Sequence, residues 1–323
     1  MKNITALVIS TILLVPTIST VRASALSSSN TSASNPKLAL GNKQRAISDF
    51  DRAISLQERS AIAIDPQDAE AYYKRGNAKL ALDNNQGAIS DYDRAIAIDP
   101  KMAQAYGNRG IAKSALGNKQ GAIADFDRVI TINPQDALAY YNRGVAKSAL
   151  GNKQGAISDF DRAIAINPQD ADAYYNRGVA KSALGNKQGA ISDYDRAIVI
   201  NPQYAIAYYN RGVAKSALGN KQGAIGDFDR AIAINPQFVE AYNNRGNAKS
   251  DLGDKQGAVS DYDKAIAINP QYANAYYNRA KLGINNKQWV IANLSKAAEL
   301  FRQQGQMDNY QKVMEEIAKL KGS

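Results

Sequence analysis

Paired carboxylates are the side chains in this sequence whose type and spacing could do chemistry. Asp159-Phe160-Asp161 is one such pair, and equivalent pairs recur along the chain. Two neighbouring acids can hold a hard metal ion. On a helix, however, residues i and i+2 point roughly 200° apart, so these two carboxylates cannot bind one ion. No metal site is expected from this motif.

Other kinds of chemistry are limited by composition. The 323 residues include no cysteine and no histidine, which excludes thiol nucleophiles, disulfides, thiolate zinc sites and a Ser-His-Asp relay. The glycines from Gly185 to Gly189 do not follow a strand as a phosphate-binding loop would. Because the Tyr, Lys, Arg and Asp residues recur as columns, no unique catalytic constellation stands out. We therefore expect no enzyme activity and no cofactor.

Prolines reveal the repeat that organises the chain. They recur every 34 residues, at Pro66, Pro100, Pro134, Pro168, Pro202, Pro236 and Pro270. A fixed period of this length is typical of stacked repeat proteins. We predict six full units, at 69–102, 103–136, 137–170, 171–204, 205–238 and 239–272.

Each unit is predicted to be a helical hairpin. In 171–204 the first helix begins near Ala173 and ends at Gly185, which suits a left-handed C-terminal cap. Asn186 can cap a second helix, whose apolar residues follow helical spacing until Pro202 ends it. A single hairpin cannot bury its apolar stripe, so neighbouring units are expected to stack.

The unit resembles the tetratricopeptide repeat (TPR), whose 34 residues carry a recurring pattern of large and small positions. In 137–170 the matching residues are Tyr140, Gly144, Ala156, Phe160, Ala163 and Pro168. The resemblance implies an all-α fold, an α-α superhelix of stacked antiparallel hairpins with a concave face formed by the first helices.

Two columns depart from the TPR pattern. Arg143 and Lys147 stand where Leu and Tyr are usual, and Arg177 and Lys181 repeat the departure. Like charges at i and i+4 are mildly unfavourable by themselves. We therefore predict that the arginines form an ion-pair ladder with second-helix acids, namely Asp159, Asp193 and Asp227. Contact with a ligand is the alternative role for the arginines.

The ends of the chain are less regular. Lys2, the apolar run Ile4 to Val15 and small residues near Ala23 predict a secretory signal peptide at 1–23. A Ser-rich linker is expected at 24–36 and a partial TPR at 37–68. A shortened seventh TPR is predicted at 273–304, followed by a capping helix at 305–323 in which Asp308 serves as the N-cap. An uncleaved membrane anchor is the alternative for the first segment.

The resemblance also implies which residues face a ligand, because TPR proteins bind ligands on the concave face. The sixth place of each unit is mostly Asn, and the fifth place is mostly Tyr. The predicted peptide-binding residues are Asn108, Asn142, Asn176, Asn210, Asn244 and Asn278, with Tyr73, Tyr141, Tyr175, Tyr209 and Tyr277. Amides can pair with a peptide backbone, and tyrosines give rigid contact area.

The asparagine column resembles the ladder in the TPR superhelix of O-linked N-acetylglucosamine transferase, which implies capture of a peptide backbone. The chain does not resemble the carboxylate clamp for chaperone tails, which needs basic residues at the second and fifth places. The second place instead holds Glu70, Gln104, Leu138, Asp172, Ile206 and Glu240. Packing between units is the alternative role for both columns.

Together these patterns predict an exported, periplasmic or extracellular scaffold that binds a protein or peptide. Two alternatives remain open. Without Lys2 and Arg22 the net charge of +10 falls to +8, and this basic surface with its tyrosines could bind an acidic envelope polymer or glycan. Near-identical units could also self-assemble. Nucleic acid is not an expected partner, and no membrane span is expected after signal removal.

Overall fold

The structure is a computed structural model that describes residues 66–283 and 286–322. The predicted signal peptide, the linker and nearly all of the partial TPR at 37–68 lie outside these residues. In the described part of the chain, no helix combines the length and the apolar character needed to cross a membrane.

The chain divides into two compact units, one ending at Leu150 and the other beginning at Gly151. The described part of unit 1 contains five helices, namely α1 (Ala69–Ala81), α2 (Asn85–Ile98), α3 (Ala103–Ala115), α4 (Lys119–Ile132) and α5 (Ala137–Ala149). Neighbouring helices pack as antiparallel pairs, and α1, α3 and α5 are the first helices of successive repeats.

Unit 2 continues the same alternation. Its helices are α6 (Lys153–Ile166), α7 (Ala171–Ala183), α8 (Lys187–Ile200), α9 (Ala205–Ala217), α10 (Lys221–Ile234), α11 (Val239–Asp251), α12 (Lys255–Ile268), α13 (Ala273–Lys281), α14 (Lys287–Gln303) and α15 (Met307–Gly322). The described residues contain helices and turns but no strand, so the predicted all-α hairpin fold is confirmed.

The turn between paired helices follows the sequence prediction. Helix α7 ends at Ala183, and Gly185 adopts a φ of +85°, the left-handed conformation that glycine tolerates best. The side chain of Asn186 then accepts a hydrogen bond of 2.8 Å from the backbone N–H of Gly189, which caps α8. These local rules position each second helix against its first helix.

Small residues allow the paired helices to approach closely. Ala190 and Ala197 on α8 are fully buried, and the ring of Tyr194 is almost fully buried beside them. The predicted apolar stripe of the second helix is therefore the core of the hairpin. It is also shared with the following repeat, because α8 packs against both α7 and α9.

The first helices of successive repeats lie next to each other within each unit. Helices α1, α3 and α5 make contacts in sequence in unit 1, and α7, α9, α11 and α13 do so in unit 2. We call the surface formed by these neighbouring helices the first-helix face. It carries the columns that the sequence singled out.

The C-terminal end differs in one detail from the prediction. Helix α15 begins at Met307, so Asp308 lies in its first turn and is not the N-cap that the sequence suggested. An acid in the first turn still stabilises a helix, because it faces the positive end of the helix dipole. Val313 and Ile317 of this helix are buried in a cluster with Leu294 and Phe301 of α14, which closes the end of the core.

Candidate functional site

The arginine column at the seventh place is tied to acids on two second helices. Arg177 donates from Nε and Nη2 to both carboxylate oxygens of Asp193, at 3.0 and 2.5 Å. Its Nη1 donates to Asp161 of the preceding repeat at 2.6 Å. Lys181 pairs with the same Asp193 at 2.9 Å. The buried carboxylate of Asp193 therefore contacts both cations that stand four residues apart, and Asp161 supplies the second negative charge.

The arrangement repeats along both units. Double pairings of this kind are made by Arg109, Arg177, Arg211 and Arg245. The predicted ion-pair ladder is confirmed for Asp193 and Asp227. Asp159 belongs to unit 2 and Arg143 to unit 1, and their pairing stays a prediction.

Burial and hydrogen bonding act in opposite directions on these arginines. Burial alone would lower the pKa of Arg177, whereas its bonds to Asp193 and Asp161 raise it, and the net pKa is raised. The guanidinium also lies 5.3 Å from the ring centre of Tyr174, a cation–π distance. The arginine column is therefore a structural element that joins successive repeats.

The ladder also explains why the carboxylates occur in pairs two residues apart. Asp193 points to Arg177 of its own repeat, whereas Asp195 binds Arg211 of the next repeat. The two acids thus serve different neighbours. No group of three or more potential metal-ligating acids is found across the residues that the structure describes.

The tyrosine and asparagine columns meet on the first-helix face. Asn210 donates its amide hydrogen to the hydroxyl of Tyr175 at 2.9 Å, and Asn244 donates to Tyr209 at the same distance. Each pair joins the sixth place of one repeat to the fifth place of the preceding repeat. These side chains are half-buried, so the columns belong both to the packing between repeats and to the surface.

The pairing varies at several positions. Asn108 donates to Asn77 at 2.7 Å and makes a longer contact of 3.4 Å with the hydroxyl of Tyr73. Asn176 bonds to the backbone carbonyl of Asp172 in its own helix. Asn278 donates to Asn243, which stands in the tyrosine column and is buried. Most described members of the asparagine column therefore have an internal partner.

Gly107 interrupts the tyrosine column in unit 1. The next residue in the asparagine column is Asn142, and its side chain makes no hydrogen bond to any residue in the described part of the chain. Tyr141, which follows in the tyrosine column, is half-buried on α5. The gap is thus accompanied by an amide that lacks the hydroxyl acceptor found in equivalent pairs.

A second set of aromatic residues lies on the same face in unit 2. Tyr204 and Phe238 occupy the N-cap position before α9 and α11, where earlier repeats place Asp136 or Asp170. The ring of Tyr204 lies 5.1 Å from that of Tyr175, and its hydroxyl donates to Asp172.

Phe238 repeats the contact, 4.8 Å from the ring of Tyr209. Sequence reasoning missed these residues, although their shared place at the end of the repeat, which Tyr272 also occupies, was a usable clue. An aromatic residue in place of the aspartate leaves the helix without a side-chain cap, since neither Tyr204 nor Phe238 makes a capping hydrogen bond.

Burial raises the pKa of tyrosine hydroxyls on this face. Burial raises the pKa of Tyr175, an effect that the hydrogen bond from Asn210 opposes and the charge of Asp172 reinforces. Burial likewise raises the pKa of Tyr209 to about 12. Neutral hydroxyls are therefore the form that the folded protein favours, and they remain available as donors and acceptors.

The column of small apolar residues at the ninth place lies one turn further along the first helices. Val145 and Val179 are half-buried, whereas Val213 is 38% exposed. Together with the tyrosines they give the face apolar contact area beside its amides.

The last tyrosine of the column contacts the end of the chain. Tyr277 donates its hydroxyl hydrogen to Glu316 of α15 at 2.8 Å. Lys281 and Lys312 lie 5.4 and 5.8 Å from its ring centre. Glu316 therefore takes the place that the asparagine of a further repeat would occupy, so Tyr277 is partly covered by the capping helix.

The fold and this face together define a helical-repeat protein of the kind that serves as a protein-interaction scaffold. The chain belongs to the tetratricopeptide repeat family. Tetratricopeptide repeat models match residues 37–103, 103–136, 137–170, 171–204, 205–238 and 239–272.

Solved structures support the fold. A tetratricopeptide repeat protein from Parabacteroides merdae is 20% identical with a TM-score of 0.59, and the match covers 79% of this chain and 99% of that one. YrrB, described as a TPR protein with an unusual peptide-binding site, is 23% identical with a TM-score of 0.51 over 57% of this chain and 95% of its own.

MamA is 29% identical with a TM-score of 0.50, and its match covers 54% of this chain and 95% of that one. No curated protein matches the sequence.

Proposed function

We propose that this protein is a non-enzymatic scaffold that binds an extended polypeptide along its first-helix face. The observation that carries the proposal is the state of Asn210. The hydroxyl of Tyr175 holds one amide hydrogen, and the carbonyl oxygen and second amide hydrogen have no partner among the described residues. A fixed amide with one free donor and one free acceptor matches the groups that every peptide unit exposes.

The surroundings of Asn210 favour a polypeptide over a small ligand. The ring pairs Tyr175–Tyr204 and Tyr209–Phe238 lie on the same face, one repeat apart. Aromatic rings of this kind supply large, rigid contact area at low entropic cost. A row of rings and amides that repeats along the array fits an elongated partner whose own groups also repeat.

The state of the basic residues supports a polypeptide rather than an acidic polymer. Arginines at the seventh place and lysines at the eleventh are already paired with buried aspartates, as Arg211 and Lys215 are with Asp227. Neutralised cations contribute little to a polyanion site. Binding of an acidic polymer would also be lost steeply as salt rises, whereas amide and aromatic contacts are much less sensitive.

The test is a peptide array probed with the full chain and two variants. The double variant Tyr175→Ala/Asn210→Ala removes one bonded pair of the face. The matched control Ser192→Ala/Val199→Ala changes two exposed residues of the second helix α8.

We expect the first variant to weaken peptide binding at least tenfold and the control to leave it unchanged, once circular dichroism has shown both to be folded. If both variants bound peptide equally well, the first-helix face would not be the peptide-binding site. Binding that disappears in high salt would favour the acidic polymer, and concentration-dependent light scattering would favour self-assembly.

We also propose that the scaffold works outside the cytosol. The support is the apolar segment after Lys2 and the small residues near Ala23, which are typical of an export signal. N-terminal sequencing of the mature protein from its native cells tests this. A new N-terminus close to Ala23 is expected, and an intact Met1 in a cytosolic fraction would contradict it.

A further inference from the structure

We propose that Asp172 and Glu240 form two subsites for basic side chains, lysine or arginine, of the bound polypeptide. The inference rests on the proposed function, because the basic side chains would come from the polypeptide on the first-helix face. It adds a charge preference to that function, since each subsite combines one carboxylate with tyrosine rings of the same face.

The two acids occupy the second place of their repeats, in the first turns of α7 and α11. Neither Asp172 nor Glu240 forms an ion pair in the part of the chain that the structure describes. The ladder acids differ, because Asp193 and Asp227 each contact two cations. The second-place carboxylates are therefore negative charges on the first-helix face that the fold does not neutralise by pairing.

The repeat at 69–102 shows the ion pair that these two repeats lack. Glu70 also occupies the second place, and Lys74 stands at the sixth place, where the other repeats have asparagine. Their side chains form an ion pair of 3.6 Å on α1. In the repeats of Asp172 and Glu240, the sixth-place asparagine carries no charge. Since no cation among the described residues replaces the lysine, a ligand would have to supply the positive charge.

Tyrosine rings lie beside the carboxylate of Asp172. The hydroxyl of Tyr204 donates to its Oδ1, and the ring of Tyr204 lies 5.1 Å from that of Tyr175. Within 66–283 and 286–322, no hydrogen bond is made to Oδ2. Burial raises the pKa of the neighbouring N-cap Asp170, and the negative charge of Asp172 raises it further. A cation at this place would contact the second carboxylate oxygen and reduce the repulsion between the two acids.

Glu240 lies near tyrosines two repeats further on. Burial raises the pKa of Tyr272, and the negative charge of Glu240 adds to the effect. The same charge contributes, after burial and Tyr272, to the raised pKa of Tyr209. The carboxylate is therefore close to both phenols. Because the side chain of Glu240 is exposed, a basic side chain reaches it without displacing any part of the core.

The C-terminal end of the array contains the same combination with its cations in place. Tyr277 donates to Glu316 at 2.8 Å. Lys281 and Lys312 lie 5.4 and 5.8 Å from the centre of the tyrosine ring, at cation–π distance. The protein thus already combines a phenol, a carboxylate and an ammonium group. The subsite at Asp172 offers the same phenol and carboxylate to the cation of a partner.

Helix stability does not explain the two acids. An acid in the first turn stabilises a helix, but α9 begins without one and has Ile206 at the second place. The last residue of that repeat is Phe238, whereas Tyr204 and Tyr272 end the two repeats that have the acids. Acid and phenol therefore occur together, as do the two apolar residues. We expect the bound segment to place basic side chains against α7 and α11 and an apolar one against α9.

The experiment measures whether a lysine side chain binds more tightly than an uncharged side chain of similar length. The probes are N-trifluoroacetyl-lysine methylamide and its norleucine analogue. Each is followed by fluorine NMR as the full chain is added at low ionic strength, where screening is weak. The variants are Asp172→Asn, Glu240→Gln and their combination. The matched control Asp308→Asn/Glu315→Gln removes the same two charges from exposed acids of α15.

We expect the parent to bind the lysine probe about fivefold more tightly than the norleucine probe, as one exposed ion pair with a cation–π contact would give. The combined variant should bind both probes equally, each single variant should keep one of the two sites, and the α15 control should behave as the parent does. A parent without preference, a preference that survives in the combined variant, or its loss in the control would overturn the subsites. If circular dichroism shows that the combined variant is unfolded, the two single variants decide.

These results are separable from those of the proposed function. A negative peptide array, together with a lysine preference that depends on the two acids, would remove the scaffold function and leave the cation subsites. Peptides that bind the first-helix face of the parent and of the combined variant with equal affinity, without any lysine preference, would overturn the subsites and leave the scaffold function standing.

Discussion

Gly212 on α9 lies directly against the ring of Phe228 on α10. A Cβ atom on Gly212 would stand 2.8 Å from Cε1 of that ring and 3.2 Å from the backbone carbonyl oxygen of Ala224. Phe228 is 1% exposed, so its ring is buried in the core of the hairpin. The missing side chain at the eighth place is therefore a condition for the close packing of the two helices.

The first prediction compares two glycines of this one hairpin. Gly212→Ala should destabilise the array by about 1–3 kcal/mol, the usual range for overpacking. Gly226→Ala on α10 should instead stabilise it by about 1 kcal/mol, because no atom lies within 4 Å of a Cβ there and alanine is the better helix former. Urea denaturation followed by circular dichroism measures both. Changes of the same sign would contradict the packing argument.

The second prediction concerns the ion-pair ladder. Asp193→Ala should cost about 3–5 kcal/mol, because it leaves Arg177 and Lys181 half-buried without their carboxylate. Asp195→Ala should cost at most about 1 kcal/mol, since that acid is half-exposed and has Arg211 as its ion-pair partner. Denaturant midpoints of the two variants give the comparison. Similar losses would mean that burial does not distinguish the two acids.

The third prediction is a loss of stability at alkaline pH. Burial raises the pKa of Tyr209 from its ordinary value of 10.0 to about 12, so folding favours the neutral phenol. The resulting stabilisation is complete below about pH 10 and is lost as the pH rises from 10 to 12. Thermal midpoints should fall across this window, together with the growth of the tyrosinate absorbance.

The variant Tyr209→Phe provides the control for this titration. It removes the ionising hydroxyl while keeping the ring beside Phe228 and Phe238. The decrease in thermal midpoint between pH 10 and pH 12 should be smaller in the variant than in the parent. An identical pH dependence would show that other groups cause the loss.

The fourth prediction is that a whole repeat can be removed. Deleting 171–204 joins Asp170 directly to Ala205, so α9 gains the acidic N-cap that Tyr204 does not provide. The shorter chain should therefore fold with the same helical signal per residue. Deleting half of that unit, 171–187, should lower the signal, because α8 would lose the helix that covers it. If the chain lacking 171–204 had no helical structure, the idea that the repeats are interchangeable stacked units would be wrong.

Much of the fold could be predicted from the sequence because its determinants are local. The left-handed turn at Gly185 and the cap at Asn186 depend on a few neighbouring residues, and the apolar spacing of α8 identifies its buried side. The ladder between Arg177 and Asp193 also followed from the sequence. Two cations at i and i+4 in every repeat require nearby acids, and the second helix had them at a fixed place.

The pattern of the first-helix face depended on the tertiary structure. The sequence placed Tyr175 and Asn210 in two columns but did not show that they bond to each other, because that contact joins different repeats. The aromatic caps at Tyr204 and Phe238 likewise become part of the face only when repeats stack. Their relationship is determined by the rotation and spacing between hairpins, which one repeat does not encode.

The same distinction applies to the ends of the columns. Glu316 is one of several acids in the C-terminal segment, and only the packing of α15 brings it to the hydroxyl of Tyr277. By itself, the sequence determined the repeat, its helices and their buried sides, since these follow from local hydrogen bonding and apolar periodicity. Tertiary structure decided which polar groups pair and which have no partner among the described residues, because that depends on distances between residues a full repeat apart.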